Sequence, residues 1–212
     1  MLSNIAKERK KKSLETLRKE GVPYLEFFPP YDKCKLRTKE EISIRALCLM
    51  VIALRAEGLN KQEAWQIAEE LAITNDFSPK ELTFLNKENS PPQDKVNFLW
   101  RYESLWILLW VLGYIKELKR PEDICDVPEA VSIIKERKRD KFIKEATLKP
   151  VSEILDVADL TFRYHWAVRN AWIKNEKPPA KLDSSVIYER RYALEWVLNN
   201  YNEDWDNIDT PT

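Results

Sequence analysis

Leu155, Ala158, Phe162, His165, Arg169 and Trp172 step by three and four along one segment, so on a helix they share a face. An imidazole and a guanidinium therefore stand on an otherwise apolar stripe. His165 is the only histidine of the chain. In a pocket it would serve as a general acid or base, with a carboxylate to orient it and an arginine to clamp an anion. Two carboxylates occupy comparable places. Glu103 shares a face with Trp100, Ile107, Trp110 and Tyr114, and Glu189 lies in YERRYALEW one turn before Ala193. A carboxylate among aromatics is costly unless it is paired. The expectation is that these helices meet, with Glu103 and Glu189 accepting from Arg163, His165, Arg169, Arg190 or Arg191. Arg163 also lies one turn after Asp159 and can pair with it.

Two readings of this cluster stand side by side. In one it is a sealed network that fixes helix register. In the other it floors a polar pocket, with Glu103, His165 and Glu189 as catalytic candidates and Arg101, Arg163, Arg169, Arg190 and Trp166 as ligand-binding candidates. An open cavity lined by at least three of Glu103, Arg163, His165, Arg169 and Glu189 would favour the pocket. Complete burial with every polar atom paired would favour the network.

Other chemistries find little support. The three glycines, Gly21, Gly58 and Gly113, are too dispersed for a P-loop or a GxGxxG turn, and no serine sits in a GxSxG elbow. One histidine excludes a His-pair zinc site, and Cys34, Cys48 and Cys125 lack ligand spacing. Cys48 falls in an apolar helix, where a thiol acts as a small hydrophobe. Cys125 precedes Asp126 at a helix start, a position that can lower a thiol's pKa. Asp204, Asp206 and Asp209 lack the glycine and closing glutamate of a calcium loop. Neither a metal nor a cofactor is expected.

Composition bounds the partners. Lys+Arg and Asp+Glu are 35 each in 212 residues, so the formal charge is zero. That balance argues against a broad polyanion-binding surface. The KERKKK stretch, Lys7 to Lys12, reads as a solvated face, with a nucleic-acid arm as the lesser alternative. The apolar run FLWRYESLWILLWVLGYI is broken by Arg101 and Glu103, which suits a buried helix better than a membrane span. Its tryptophans read as core rather than as a base-stacking platform. The polar, basic start and the unpaired cysteines suit a soluble protein of a reducing cytoplasm.

The elements that must position these residues are helices. The first, from about Leu2, stops at Gly21, and VPYLEFFPPY follows as an extended strap. Thr38 with Glu41, Asn60 with Glu63, and Ser78 with Glu81 mark three helix starts. A Trp-rich helix is expected from about Gln93 to Lys116. A charged, solvent-facing helix should run from Asp126 through KERKRDK, a long one from Pro150 to about Asn175, and a last one from Asp183 to about Asn200. Trp205 can anchor the polar tail. The fold expected is therefore all-α: a single domain of seven or eight helices around the Trp-rich one, divided as 1–37 (helix and strap), 38–200 (core) and 201–212 (tail).

WRYESLWILLWVLG, then CDVPE, EILDVADLTFRYHWAVRNA, YERRYALEW and WDNIDT, resemble domain-of-unknown-function family 4272 along nearly the whole chain. SLETLRKEGVPYLEFFPP and TKEEISIRALCLMVIALRAEG fit the same family. The resemblance implies one full-length domain and a bacterial source, and it carries no established activity or catalytic set. Where the family often reads ERHYALNW, Arg191 replaces a second histidine, which weakens any two-histidine scheme. The leading functional expectation is a cytosolic binding or interaction protein of unknown partner; a protein partner is one option, with an immunity-type protein as its concrete version. The alternative is an enzyme or small-ligand binder using the pocket around His165. Nucleic-acid binding is the weakest reading.

Overall fold

Six helix starts among the described residues are capped by a side chain. A computed structural model describes residues 2–199 and 202–212. Among them are ten α-helices and no strand: α1 Asn4–Glu20, α2 Lys39–Glu57, α3 Lys61–Glu70, α4 Pro79–Asn86, α5 Pro92–Leu99, α6 Arg101–Val111, α7 Val127–Lys135, α8 Lys138–Glu145, α9 Val151–Ile173 and α10 Ser184–Leu198. Thr38, Asn60 and Ser78 each form a reciprocal capping box with the glutamate three residues on. Asp183 accepts from Ser185 and Val186 at the start of α10. Gly21 takes the left-handed conformation that ends α1. The expected end of α10 near Asn200 lies outside the described residues.

Two expected helices are each broken in two, which accounts for the larger number. The Trp-rich segment bends at Trp100, so α5 and α6 are separate rods. It also ends short of Lys116. Gly113 turns back at φ +81°, with Thr147 so close that a Cβ on the glycine would stand 2.5 Å from its carbonyl oxygen. Thr147 and Lys149 then donate to the carbonyls of Leu112 and Val111, satisfying the end of α6. The charged segment breaks at Lys138, which has a positive φ. Its second half is not wholly solvent-facing, because Phe142 is fully buried and stacks on Tyr114 at 4.8 Å.

The core forms around α2, α6 and α10. α6 buries every residue from Tyr102 to Val111, including Glu103, and packs against both α2 and α10. α9 lies along α10, and α1 lies on α9. The strap holds to α9 through Phe28, whose ring meets Phe162 at 5.1 Å and Trp166 at 6.0 Å. Arg9 is buried beneath it, paired with Asp156 at 2.7 Å and donating to the Tyr31 carbonyl. KERKKK thus gives one of its cations to the interior rather than to a solvated face.

The tail is structural. Trp205 is buried against Tyr192 and Trp196, at 5.0 and 5.5 Å, with the guanidinium groups of Arg45 and Arg101 over its ring. Asp206 accepts from the Ser78 hydroxyl at 2.7 Å and the Lys80 amide at 2.9 Å, tying the tail to the first turn of α4. Removing the indole should therefore act like a core deletion. Trp205→Ala is expected to cost about 3 kcal/mol, read as a lower urea midpoint with the helical circular dichroism of the folded state retained.

Candidate functional site

The apolar stripe of α9 does not stay inside. Leu155 and Ala158 are in the core, Phe162 is covered by the strap, and His165 is nearly buried. One and two turns later Arg169 and Trp172 reach the surface, and the Trp172 side chain is 67% exposed. They meet α10 and α5 across a cleft of about 610 Å³, within the range of about 300–1,000 Å³ usual for small-molecule sites. Its lining includes His165, Arg169, Glu189 and Arg101, with Trp100, Trp172 and Tyr188 as aromatic walls. No strap residue lines it, so the strap leaves it open.

His165 is fixed by an arginine. Arg191 Nη1 lies 2.7 Å from the ring's Nδ1. A guanidinium can only donate, so Nδ1 must accept and the proton resides on Nε2. The ring is therefore held neutral, with Nε2–H as its remaining donor. Burial pushes its pKa down to about 4, and the charges of Arg191 and Arg169 push the same way. Among the described residues no carboxylate orients the ring, and the expected Glu–His acid/base pair is not formed there.

Arg191 is itself tightly held. Its Nε faces Glu195 at 3.4 Å and its Nη2 donates to the Pro211 carbonyl at 2.6 Å. Glu195 also accepts from the Tyr31 hydroxyl. Strap, tail, α9 and α10 thus converge on one guanidinium. Beside it, Arg101 Nη1 donates to Glu189 at 3.0 and 3.3 Å, and the Ser104 hydroxyl donates to the same carboxylate at 2.6 Å. Arg169 differs: its guanidinium stacks over Trp172 at 4.8 Å, and no ion pair among the described residues engages it.

A family model described as "Domain of unknown function (DUF4272)" matches residues 9–208. The chain belongs to the DUF4272 family. No curated protein and no solved structure matches it. The cleft of this DUF4272 chain lies wholly inside the matched region. No helix of the described residues is long and apolar enough to cross a membrane, and among them no group of three or more His, Cys, Asp or Glu could hold a metal ion.

The DUF4272 fold separates the residues that the spacing had grouped. Glu103 does not join His165: it faces Arg190 at 3.6 Å and accepts from the Cys125 amide, on a different cleft. Glu189 pairs with Arg101, an arginine outside the expected set of donors. Arg163 lies inside, bound to Asp159 at 2.9 and 3.1 Å as its spacing suggested, and does not line the cleft. Arg190 donates to the Lys119 carbonyl at 2.7 Å behind the cleft, and Trp166 supports the strap. The Cys125 thiol is pushed up rather than down, by burial and by the neighbouring Glu103. Burial likewise pushes Cys48 up to about 12. Gln93, Asn97, Ser184, Ser185 and Tyr188 also line the polar cleft, though their types gave no chemical signal. Only spacing could have found them: Gln93 and Asn97 step by four and three to Trp100, Ser185 stands four before Glu189, and Ser184 stands four before Tyr188.

The neutral imidazole has a pH consequence. The folded pKa of His165 lies below its ordinary 6.5, so the unfolded chain takes up the proton first. The contribution is complete above about pH 6.5 and is lost as pH falls toward about 4. Urea unfolding between these pH values should show stability falling with acidification. The slope should be shallower in His165→Asn, whose amide oxygen can still accept from Arg191.

Proposed function

We propose that this protein binds a small ligand in the cleft between α5, α9 and α10, and that the ligand presents a carboxylate or phosphate beside a flat apolar body. The observation that carries this reading is the Arg191–His165 contact, which holds a neutral donor at the cleft while the guanidinium of Arg169, in no ion pair among the described residues, stands nearby. Acceptor oxygens suit both groups. Trp100, Trp172 and Tyr188 offer ring faces and edges for an apolar body. Three of the five residues that would mark an open site, His165, Arg169 and Glu189, line this one cleft. A binding role fits better than acid/base catalysis, because a ring whose pKa is pushed down to about 4 is not an imidazolium at neutral pH and so has no acidic proton to transfer, and its Nδ1 lone pair is already engaged. The family resemblance implies a bacterial source, and three free cysteines suit a reducing cytoplasm.

Benzoate and phenyl phosphate, compared with benzyl alcohol, test the reading by NMR titration. The anions should shift the His165 ring and the Tyr188 and Trp172 signals and bind about tenfold tighter than the alcohol. Arg169→Ala should remove that preference. Equal binding of anion and alcohol, or shifts confined to other surfaces, would overturn it.

A further inference from the structure

The bend at Trp100 places a second cleft on the other side of α5. It measures about 860 Å³ and shares Val96 and Trp100 with the first. Its character is different. Leu54, Leu99, Val127 and Val131 form its walls, and two exposed aliphatics, Val96 at 45% and Ile124 at 66%, stand at its lips. Side chains of this kind are stable in water only at a cost that a covering apolar group would remove.

One polar group on this lining is incompletely satisfied. Glu103 is 2% exposed, and its Oε1 accepts the Cys125 amide. Its Oε2 has no hydrogen-bond donor among the described residues. Arg190 Nε is 3.6 Å away, beyond hydrogen-bonding distance, and is itself without an acceptor. Burial pushes the carboxyl up and the guanidinium down, so desolvation outweighs what this loose pair returns. A second carboxylate, Glu57, lies on the same lining and accepts from the Tyr102 hydroxyl at 2.8 Å. Lys135 is the only cation among the lining residues.

These conditions select among head groups. A ligand carboxylate would meet Glu103 and Glu57. A plain hydrocarbon would cover the walls and leave Oε2 without a donor. An ammonium brings both donors and the compensating charge. We propose that this cleft is a second small-molecule site, for an alkyl or arylalkyl amine whose ammonium meets Glu103 and whose hydrocarbon lies between the walls and the lips. The proposal is independent of the anion-binding reading of the neighbouring cleft.

The test uses n-hexylamine, 1-hexanol and hexanoate at pH 7, titrated into the full chain and followed by NMR. Judged by the signals of Val127, Val131 and Ile124, which line this cleft, hexylamine should bind there about tenfold tighter than hexanol, with hexanoate weakest. Glu103→Gln should abolish the preference for the amine and leave hexanol binding unchanged. Val131→Trp, which fills the cleft, should abolish these shifts, whereas Arg169→Ala on the other cleft should leave the shifts by hexylamine and hexanol unchanged. The ranking in the unaltered protein needs no variant to fold. Equal affinity for the three probes, hexanoate binding best, or shifts confined to His165 and Tyr188 would overturn the proposal.

Discussion

A single buried guanidinium, Arg191, lies where four separate parts of the chain meet. Its three nitrogens face α9 through His165, α10 through Glu195, and the tail through Pro211, while the strap joins through Tyr31 on Glu195. A planar fork with fixed donor directions can hold such a junction in one geometry, which a flexible ammonium could not. The same contact decides the state of the only histidine. With Arg191 on Nδ1, the imidazole is neutral and can offer nothing but its Nε2 proton. Structure and candidate function therefore rest on one hydrogen bond.

The second constraint is the bend at Trp100. A straight helix from Pro92 to Val111 would present one continuous face. The interruption at Trp100 instead leaves α5 a separate element, and its Val96 with Trp100 lines both clefts. α5 has no fully buried residue, so it is held by partial contacts with α2 and by Phe98 stacked on Phe84 at 4.3 Å. Its two flanks differ in kind. One carries arginines and a neutral imidazole, the other aliphatics around an incompletely paired carboxylate.

Much of the fold was legible because it is written locally. Capping boxes at Thr38, Asn60 and Ser78, the glycine after α1 and the aspartate before α10 each act within a few residues. The helix breaks were not legible. Gly113 turns because Thr147 packs against it, and nothing near either residue in sequence announces that contact. The site was legible in part for the same reason. Spacing put His165, Arg169 and Trp172 on one face, correctly, since a helix face is a local property. It could not say which partner each charge would find. Glu103 and Glu189 stand on adjacent helices in similar aromatic surroundings, yet one looks to Arg190 and the other to Arg101. That choice is set by the rotation of α6 against α10, a tertiary quantity.

The anchoring of the tail also bears on how the protein is made. Trp205 fills a hole between α10 and the guanidinium groups of Arg45 and Arg101, and Pro211 caps Arg191. A growing chain whose last helix has already emerged still lacks both. Until the segment from Trp205 to Pro211 clears the ribosome, Arg191 has a donor without its acceptor and the junction on which the strap and His165 depend stays incomplete. Domains of this size usually fold as units during synthesis. Here the unit closes only once residues 205–211 have followed α10 out of the ribosome.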